Sequence, residues 1–252
     1  MDARANGRVC LVTGASRGIG RVVAGRLAAD GHRVAAVART APDPPDPVDG
    51  PVMGVAADVT VPADVDRAFV AVEDRWGPVE VLVCNAGAGA AAPLTETTDE
   101  DWERLLALNL TAPFRCVRRA LPHMLHAGWG RIVVIASVVA KRGEPLVSAY
   151  TASKHGALGL VRAAAAETAG SGVTINAVCP GYVDTPMTEE TIAGIGERTG
   201  RTRAEATRAL ERRQPIGRLI DPDEVAEAVR FCVVNGAVTG QGINVDGGAV
   251  QS

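Results

Sequence analysis

Three side chains in the second half of the chain could do proton chemistry together: Ser137, Tyr150 and Lys154. Residues i and i+4 of a helix share one face, so Tyr150 and Lys154 can share one small site. An ammonium beside a phenol favours the phenolate, which makes the tyrosine a usable proton donor or acceptor near neutral pH. Of 26 basic residues only Lys141 and Lys154 are lysines, and the two tyrosines are Tyr150 and Tyr182. An arginine at 154 would present a bulky fork in place of a compact ammonium. By itself the Tyr-x-x-x-Lys spacing fits a solvent-facing pair on an amphipathic helix equally well.

A second set of candidates lies near the start. An apolar strand over 9–13 runs into Thr13-Gly14-Ala15-Ser16-Arg17-Gly18-Ile19-Gly20, then a helix over 21–30, a stop at Gly31 and a strand over 33–38. This is a βαβ unit with glycines at its first turn. Glycines let backbone approach a pyrophosphate, and the helix N-terminus offers N–H groups to it. An acid at the end of the second strand would accept from a ribose 2′-hydroxyl. Here that position is Arg39, with no acid until Asp43. Arg17 and Arg39 together suit a 2′-phosphate, so NADP(H) is expected in preference to NAD(H). Two solvated surface arginines would read the same way.

The elements that must position these residues form one α/β domain of 252 residues. Apolar residues make up 47% and aromatics 3%, so the core must be built from Ala, Val, Leu and Ile. A net charge of −3 gives no case for nucleic acid or a membrane surface. No apolar run approaches a membrane span, and the polar opening residues do not read as a signal peptide. Cys10, Cys84, Cys116, Cys179 and Cys232 are odd in number and lack metal-ligand spacing. They read as reduced thiols in the cytoplasm, and no metal is expected.

Along the chain, 41–51 is too rich in proline for a helix and is expected to be an exposed loop. A strand over 52–57 ends at Asp58, which could accept from an adenine amino group with Val59 beside it, or could simply close a turn. A helix over 62–76 and a strand over 79–84 follow. Asn85, Ala86 and Gly87 then let the chain pass close to a cofactor, unless they are an ordinary glycine turn. Thr98 reads as a helix cap. The apolar stripe of Trp102, Leu105 and Leu106 continues into Asn109, a polar residue that needs a reason to be buried. Pro113 has no N–H, so the helical bond back to residue 109 cannot form. A local kink and a released Asn109 carbonyl are expected. A strand over 131–137 ends at Ser137, a loop spans 141–148, and a small-residue helix over 149–169 carries Tyr150 and Lys154. After a strand over 173–178, Pro180, Gly181, Val183 and Thr185 leave its carboxyl end, where open α/β sheets bind ligands. An Arg-rich segment over about 186–218 lacks a clear core pattern and reads as a mobile helical lid. A helix over 221–234 and a strand over 242–245 complete the chain.

The ordered set Thr13-Gly14-x-x-x-Gly18-Ile19-Gly20, Asp58, Asn85-Ala86-Gly87, Asn109, Ser137, Tyr150-x-x-x-Lys154, Pro180-Gly181 with Thr185, and Val245-Asp246-Gly247-Gly248 resembles the short-chain dehydrogenases/reductases over essentially the whole chain. The resemblance implies a single Rossmann-type domain, a doubly wound parallel sheet of about seven strands with helices on both faces. It also implies a homotetramer or homodimer. It gives Tyr150 the role of general acid and has Ser137 hold the substrate oxygen. Lys154 would bind the nicotinamide ribose and lower the Tyr150 pKa, and Asn109 would anchor a relay water. Two departures are Cys84, where the family often has a further asparagine, and the proline-rich loop after Arg39. Within the family, 135–141, 150–156, 178–187 and 215–219 resemble 3-oxoacyl-thioester reductases, closest to the ketoreductases of aromatic polyketide synthesis. The activity implied is an NADPH-dependent ketoreductase acting on a 3-oxoacyl thioester or polyketide-like ketone. The residues serve equally a secondary-alcohol dehydrogenase acting on a small or cyclic alcohol, and a cofactor-sensing protein could keep the fold without the chemistry. Lid arginines, Arg198 to Arg218, could meet a carrier protein or CoA phosphates, or could form a solvated face neutralised by Glu197, Glu205 and Glu211.

Overall fold

The computed structural model describes residues 7–43 and 50–251. Among them, β1 (Val9–Thr13), β2 (Arg33–Ala38), β3 (Val52–Ala56), β4 (Val81–Cys84), β5 (Gly130–Ile135), β6 (Val173–Pro180) and β7 (Gly242–Val245) form one seven-stranded sheet in the order β3-β2-β1-β4-β5-β6-β7. Every pairing is parallel. The chain winds outward from β1 to β3, then returns to lay β4 on the other side of β1. The carboxyl ends of β1 and β4 therefore flank the crevice where the winding reverses, which is where such sheets take ligands.

Helices α1 (Gly18–Ala29) and α8 (Pro222–Val234) cover one face, with Val23, Leu27, Val225 and Val229 packed on β1, β4 and β5. On the other face lie α2 (Pro62–Trp76), α4 (Ala112–Ala127) and α5 (Ser148–Glu167), through Phe69, Met124 and Val161. Every residue of β1, β4, β5 and β6 is buried, as strands covered on both faces require. That explains their mostly apolar, largely β-branched sequences, in which Arg131, Thr174 and Asn176 are the buried polar exceptions apart from Thr13. The expected doubly wound sheet with helices on both faces is what the chain forms.

The start of α1 and the form of the lid segment differ most from expectation. Helix α1 begins at Gly18, three residues early, so the last glycines of the turn are already helical. Of the proline-rich connection, residues 44–49 lie outside the described residues, and with them most of the expected loop. The lid is two helices, α6 (Pro186–Thr199) and α7 (Arg203–Glu211). Gly200, in the left-handed region at φ 70°, ends α6, and Thr202 with Glu205 forms a capping box that starts α7. The lid also has a small core that its polar composition concealed: Ile192, Ala206 and Leu210, packed with Tyr182, Ile195 and Leu219.

The break at Pro113 takes the form of a π-helical turn, Ala107–Thr111, between α3 (Asp99–Leu106) and α4. The Ala112 N–H donates to the Ala107 carbonyl, five residues back. Wide turns of this kind accommodate a missing donor without ending the helix. Asn109, at its centre, is 1% exposed, so neither its amide nor its carbonyl faces bulk solvent. Thr98 caps α3 as expected, accepting from the Asp101 N–H. Trp102 does not join the buried stripe and stays 39% exposed, whereas Leu105 is buried.

Candidate active site

Ser137 leaves the end of β5, and α5 carries Tyr150 and Lys154 past it. The Tyr150 phenol is hydrogen-bonded to Ser137. Burial raises the phenol's pKa, and the bond to Ser137 opposes that rise. Lys154 is 4% exposed, and its Nζ donates to the Ile135 carbonyl at 2.8 Å. Burial lowers the ammonium to about 8, with the Cys179 thiol as a small opposing influence. Nζ lies 5.7 Å from the Tyr150 ring centre. The ammonium is turned to the end of β5, and the downward pull comes from Ser137. A phenol whose pKa is raised holds its proton, the form a general acid needs.

Asn109 fastens this group to the neighbouring crevice. Its Oδ1 accepts from the Ala88 N–H at 3.1 Å, and its Nδ2 donates to the Ala88 carbonyl at 2.9 Å and to Ser153 Oγ at 3.1 Å. The Ser153 hydroxyl in turn donates to the Tyr150 carbonyl at 2.8 Å. A Cβ at Gly87 would lie 3.0 Å from Asn109 Oδ1 and 3.5 Å from Lys154 Nζ. Three elements thus meet over Gly87: the segment after β4, the π turn and α5.

The glycine turn is locked to the segment after β4. Thr13 Oγ1 accepts from the N–H groups of Asn85 and Ala86 at 3.0 and 3.1 Å. Asn85 Nδ2 donates to the carbonyls of Thr13 and Gly14 at 2.9 and 3.1 Å. Thr13 and Asn85 therefore act first as a clamp between the two loops. A Cβ at Gly14 would lie 2.7 Å from Ala86 Cα, and one at Gly20 would lie 2.5 Å from the Gly14 carbonyl oxygen, so neither position can hold a side chain without movement. Ser16, Arg17 and Ile19 complete the turn. Arg39 is exposed just past β2. Arg17 is also exposed, and its Nη2 lies 3.2 Å from Glu190 Oε1 on α6.

After β3, Asp58 Oδ1 accepts from the Thr60 N–H and hydroxyl at 2.9 and 2.6 Å. That is the geometry of a turn residue, and Val59 beside it is buried. Beyond β6, the Gly181 N–H donates to the Val245 carbonyl at 3.0 Å, and Val183 pairs with Ile220. Thr185, before α6, borders the glycine turn: a Cβ at Gly18 would lie 3.4 Å from its Cγ2. The structure thus joins the glycine turn, the segment after β4, Asn109 and α5 by direct contacts, with Arg39 and Asp58 just past β2 and β3. A cleft of about 760 Å³ among Asp184, Glu189, Arg203 and Arg218 is lined by none of the proposed catalytic residues.

The family model of short chain dehydrogenases matches residues 8–196. The chain belongs to this family. As a short-chain dehydrogenase it is an oxidoreductase that acts on hydroxyl and keto groups with a nicotinamide cofactor. It is 42% identical to the 3-oxoacyl-[acyl-carrier-protein] reductase MabA of Mycobacterium tuberculosis, over 96% of this chain and 92% of that one. It is 39% identical to a putative ketoacyl reductase of Streptomyces coelicolor, over 98% of each. Among solved structures, a variant actinorhodin polyketide ketoreductase with NADPH superposes at a TM-score of 0.89, with 37% identity over 96% of this chain and 97% of that one. The turn's backbone fits a pyrophosphate: Gly14 and Gly18 take positive φ, and no side chain caps the start of α1, where N–H groups suit such an anion.

Two residues in this short-chain dehydrogenase were missed from sequence. Ser153 links Asn109 to α5, and its only signal is a small polar residue within the Tyr-x-x-x-Lys interval. Gln214 is buried, accepting from the Tyr182 N–H at 2.7 Å and donating to the carbonyls of Tyr182 and Arg218 at 3.2 and 2.8 Å. No local pattern marks it.

Proposed function

We propose that the chain is an NADPH-dependent ketoreductase acting on a 3-oxoacyl thioester or polyketide-like ketone. The observation that carries this reading is the half-buried Tyr150 phenol, hydrogen-bonded to Ser137, one helical turn from a buried Lys154. When bound, the cofactor supplies the hydride for the carbonyl carbon. Ser137 holds the carbonyl oxygen, and the Tyr150 hydroxyl gives its proton to that oxygen as the alcohol forms. Lys154 offers its ammonium to the ribose hydroxyls. Asn109 is a positioning residue that ties Ala88, after β4, to Ser153 beside Lys154 on α5. Arg17 and Arg39 favour a 2′-phosphate. The relatives with ketoacyl reductase names and the NADPH-bound neighbour support the same direction and cofactor. The reading extends to a homo-oligomer, a tetramer by resemblance, for which exposed Phe114, Leu125, Phe231 and Val234 would supply apolar surface. Five buried free thiols suit the cytoplasm.

The test is cofactor oxidation with NADPH and NADH against acetoacetyl thioesters, bicyclic ketones and simple cyclic ketones. Tyr150→Phe should lower turnover by about 10²–10⁴, the usual weight of a general acid. Normal turnover in that variant overturns the catalytic assignment, and equal use of NADH overturns the cofactor assignment.

A further inference from the structure

The Arg17–Glu190 pair joins the phosphate-side turn to the lid. Arg17 is the residue before α1, in extended backbone, and its side chain makes no cap bond to the helix. Its guanidinium lies 3.2 Å from Glu190. The two segments also touch directly, since a Cβ at Gly18 would lie 3.4 Å from Thr185 Cγ2 and 3.9 Å from Pro186 Cδ. The first turn of α6 therefore rests on the glycine turn, and Glu190 follows one turn later. Its neighbour Glu189 is held elsewhere, by two bonds of 2.7 Å from Arg203. Glu190 also borders an open cleft of about 640 Å³ with Asp184, Thr185, Pro186, Glu189 and Ala193, which gives its side chain room to swing away from Arg17.

We infer that Glu190 is a specificity-determining residue that competes with the cofactor's 2′-phosphate for Arg17 and so ties the first turns of the lid to the kind of cofactor bound. This rests on the reading that Arg17 serves a 2′-phosphate. A phosphate offers several acceptor oxygens and more negative charge than one carboxylate, so it takes the guanidinium over and repels Glu190. A cofactor with a free 2′-hydroxyl leaves the pair in place. The carboxylate thus weakens 2′-phosphate binding selectively. Both side chains are well exposed, at 62% and 65%, so the effect is modest and falls with salt.

Calorimetric titration of the full chain with 2′,5′-ADP and 5′-ADP separates the possibilities. Glu190→Gln should bind 2′,5′-ADP about two- to fivefold more tightly than the unaltered chain, the range of an exposed ion pair, and bind 5′-ADP equally well. In an Arg17→Ala background the gain should disappear. An unaltered melting temperature confirms that Glu190→Gln is folded. If the unaltered chain prefers 2′,5′-ADP but Glu190→Gln gains nothing, or tightens both ligands alike, this inference fails and the cofactor reading stands. An unaltered chain that binds the two ligands equally overturns the cofactor reading and this inference with it.

Discussion

Lys154 is the costly side chain of the site. A buried ammonium with one carbonyl acceptor has lost most of its hydration, and its pKa falls to about 8. The sign follows from linkage. Unfolded, the lysine keeps its proton up to about the ordinary 10.5, and folded only up to about 8. The unfolded chain thus binds more protons between those values, so the cost of burying this group is relieved as pH rises across the window. Function runs the other way. The charge that would meet the ribose is present below about 8 and lost above it. The kcat/KM for the cofactor, which reports groups of the free chain, should therefore fall as pH rises through about 8. Lys154→Arg, which does not titrate in this range, should lose that limb while turning over more slowly. A limb that persists in Lys154→Arg belongs to another group. The spacing of Tyr150 and Lys154 was legible because it is local to one helix. The Ile135 carbonyl that holds the ammonium was not, because it comes from a strand whose place beside α5 no local pattern encodes.

The π turn shows how an element can be half legible. A missing N–H at Pro113 says that the ladder must break. Whether the helix stops, bends or widens depends on what the freed residues can pack against. Here the turn widens and Asn109 points inward, held by Ala88 and Ser153. Asn109→Ala removes these bonds and leaves the Ala88 N–H and the Ser153 hydroxyl short of partners. It should lower stability by about 1–3 kcal/mol, read as a lower urea midpoint. An unchanged midpoint means that the amide contributes little to holding the segment after β4. The lid is the opposite case. The Thr202-x-x-Glu205 signature is present in the sequence, but the surrounding arginines hide the few apolar positions that make two helices pack.

At the scale of the molecule, the sheet order brings together segments far apart in the chain. Between β5 and α5, Glu144 accepts from the Tyr182 hydroxyl at 2.7 Å and pairs with Arg213 at the foot of the lid. The Ala92 N–H donates to the Leu146 carbonyl at 2.8 Å, which ties the segment after β4 to the same loop. The lid arginines that read as a basic surface are in part committed: Arg203 to Glu189, Arg213 to Glu144 and Arg218 to Glu224. Glu144→Gln keeps the shape and removes the charge that holds Arg213. It should speed tryptic cleavage within the lid and raise the ketone KM by about fivefold, the upper range of a partly exposed ion pair, with kcat little changed. Cleavage and KM both at the unaltered level would show that Glu144 does not hold the lid.

What the sequence determined by itself is whatever a short stretch of chain can encode. The strands announce themselves by mostly apolar, β-branched runs, the first turn by its glycines, and the proton-transfer pair by one helical turn. Only the tertiary structure decided which of these meet. Laying β4 beside β1 lets Thr13 and Asn85 clamp two loops into one crevice. The winding of β5 and α5 turns Lys154 toward Ile135 and sets Ser137 against Tyr150. The seating of α6 on the glycine turn puts Glu190 beside Arg17. Each of these contacts joins residues far apart in the chain. Their partners are fixed by sheet order and by the shape of a packed interior, neither of which leaves a period or a spacing in the sequence.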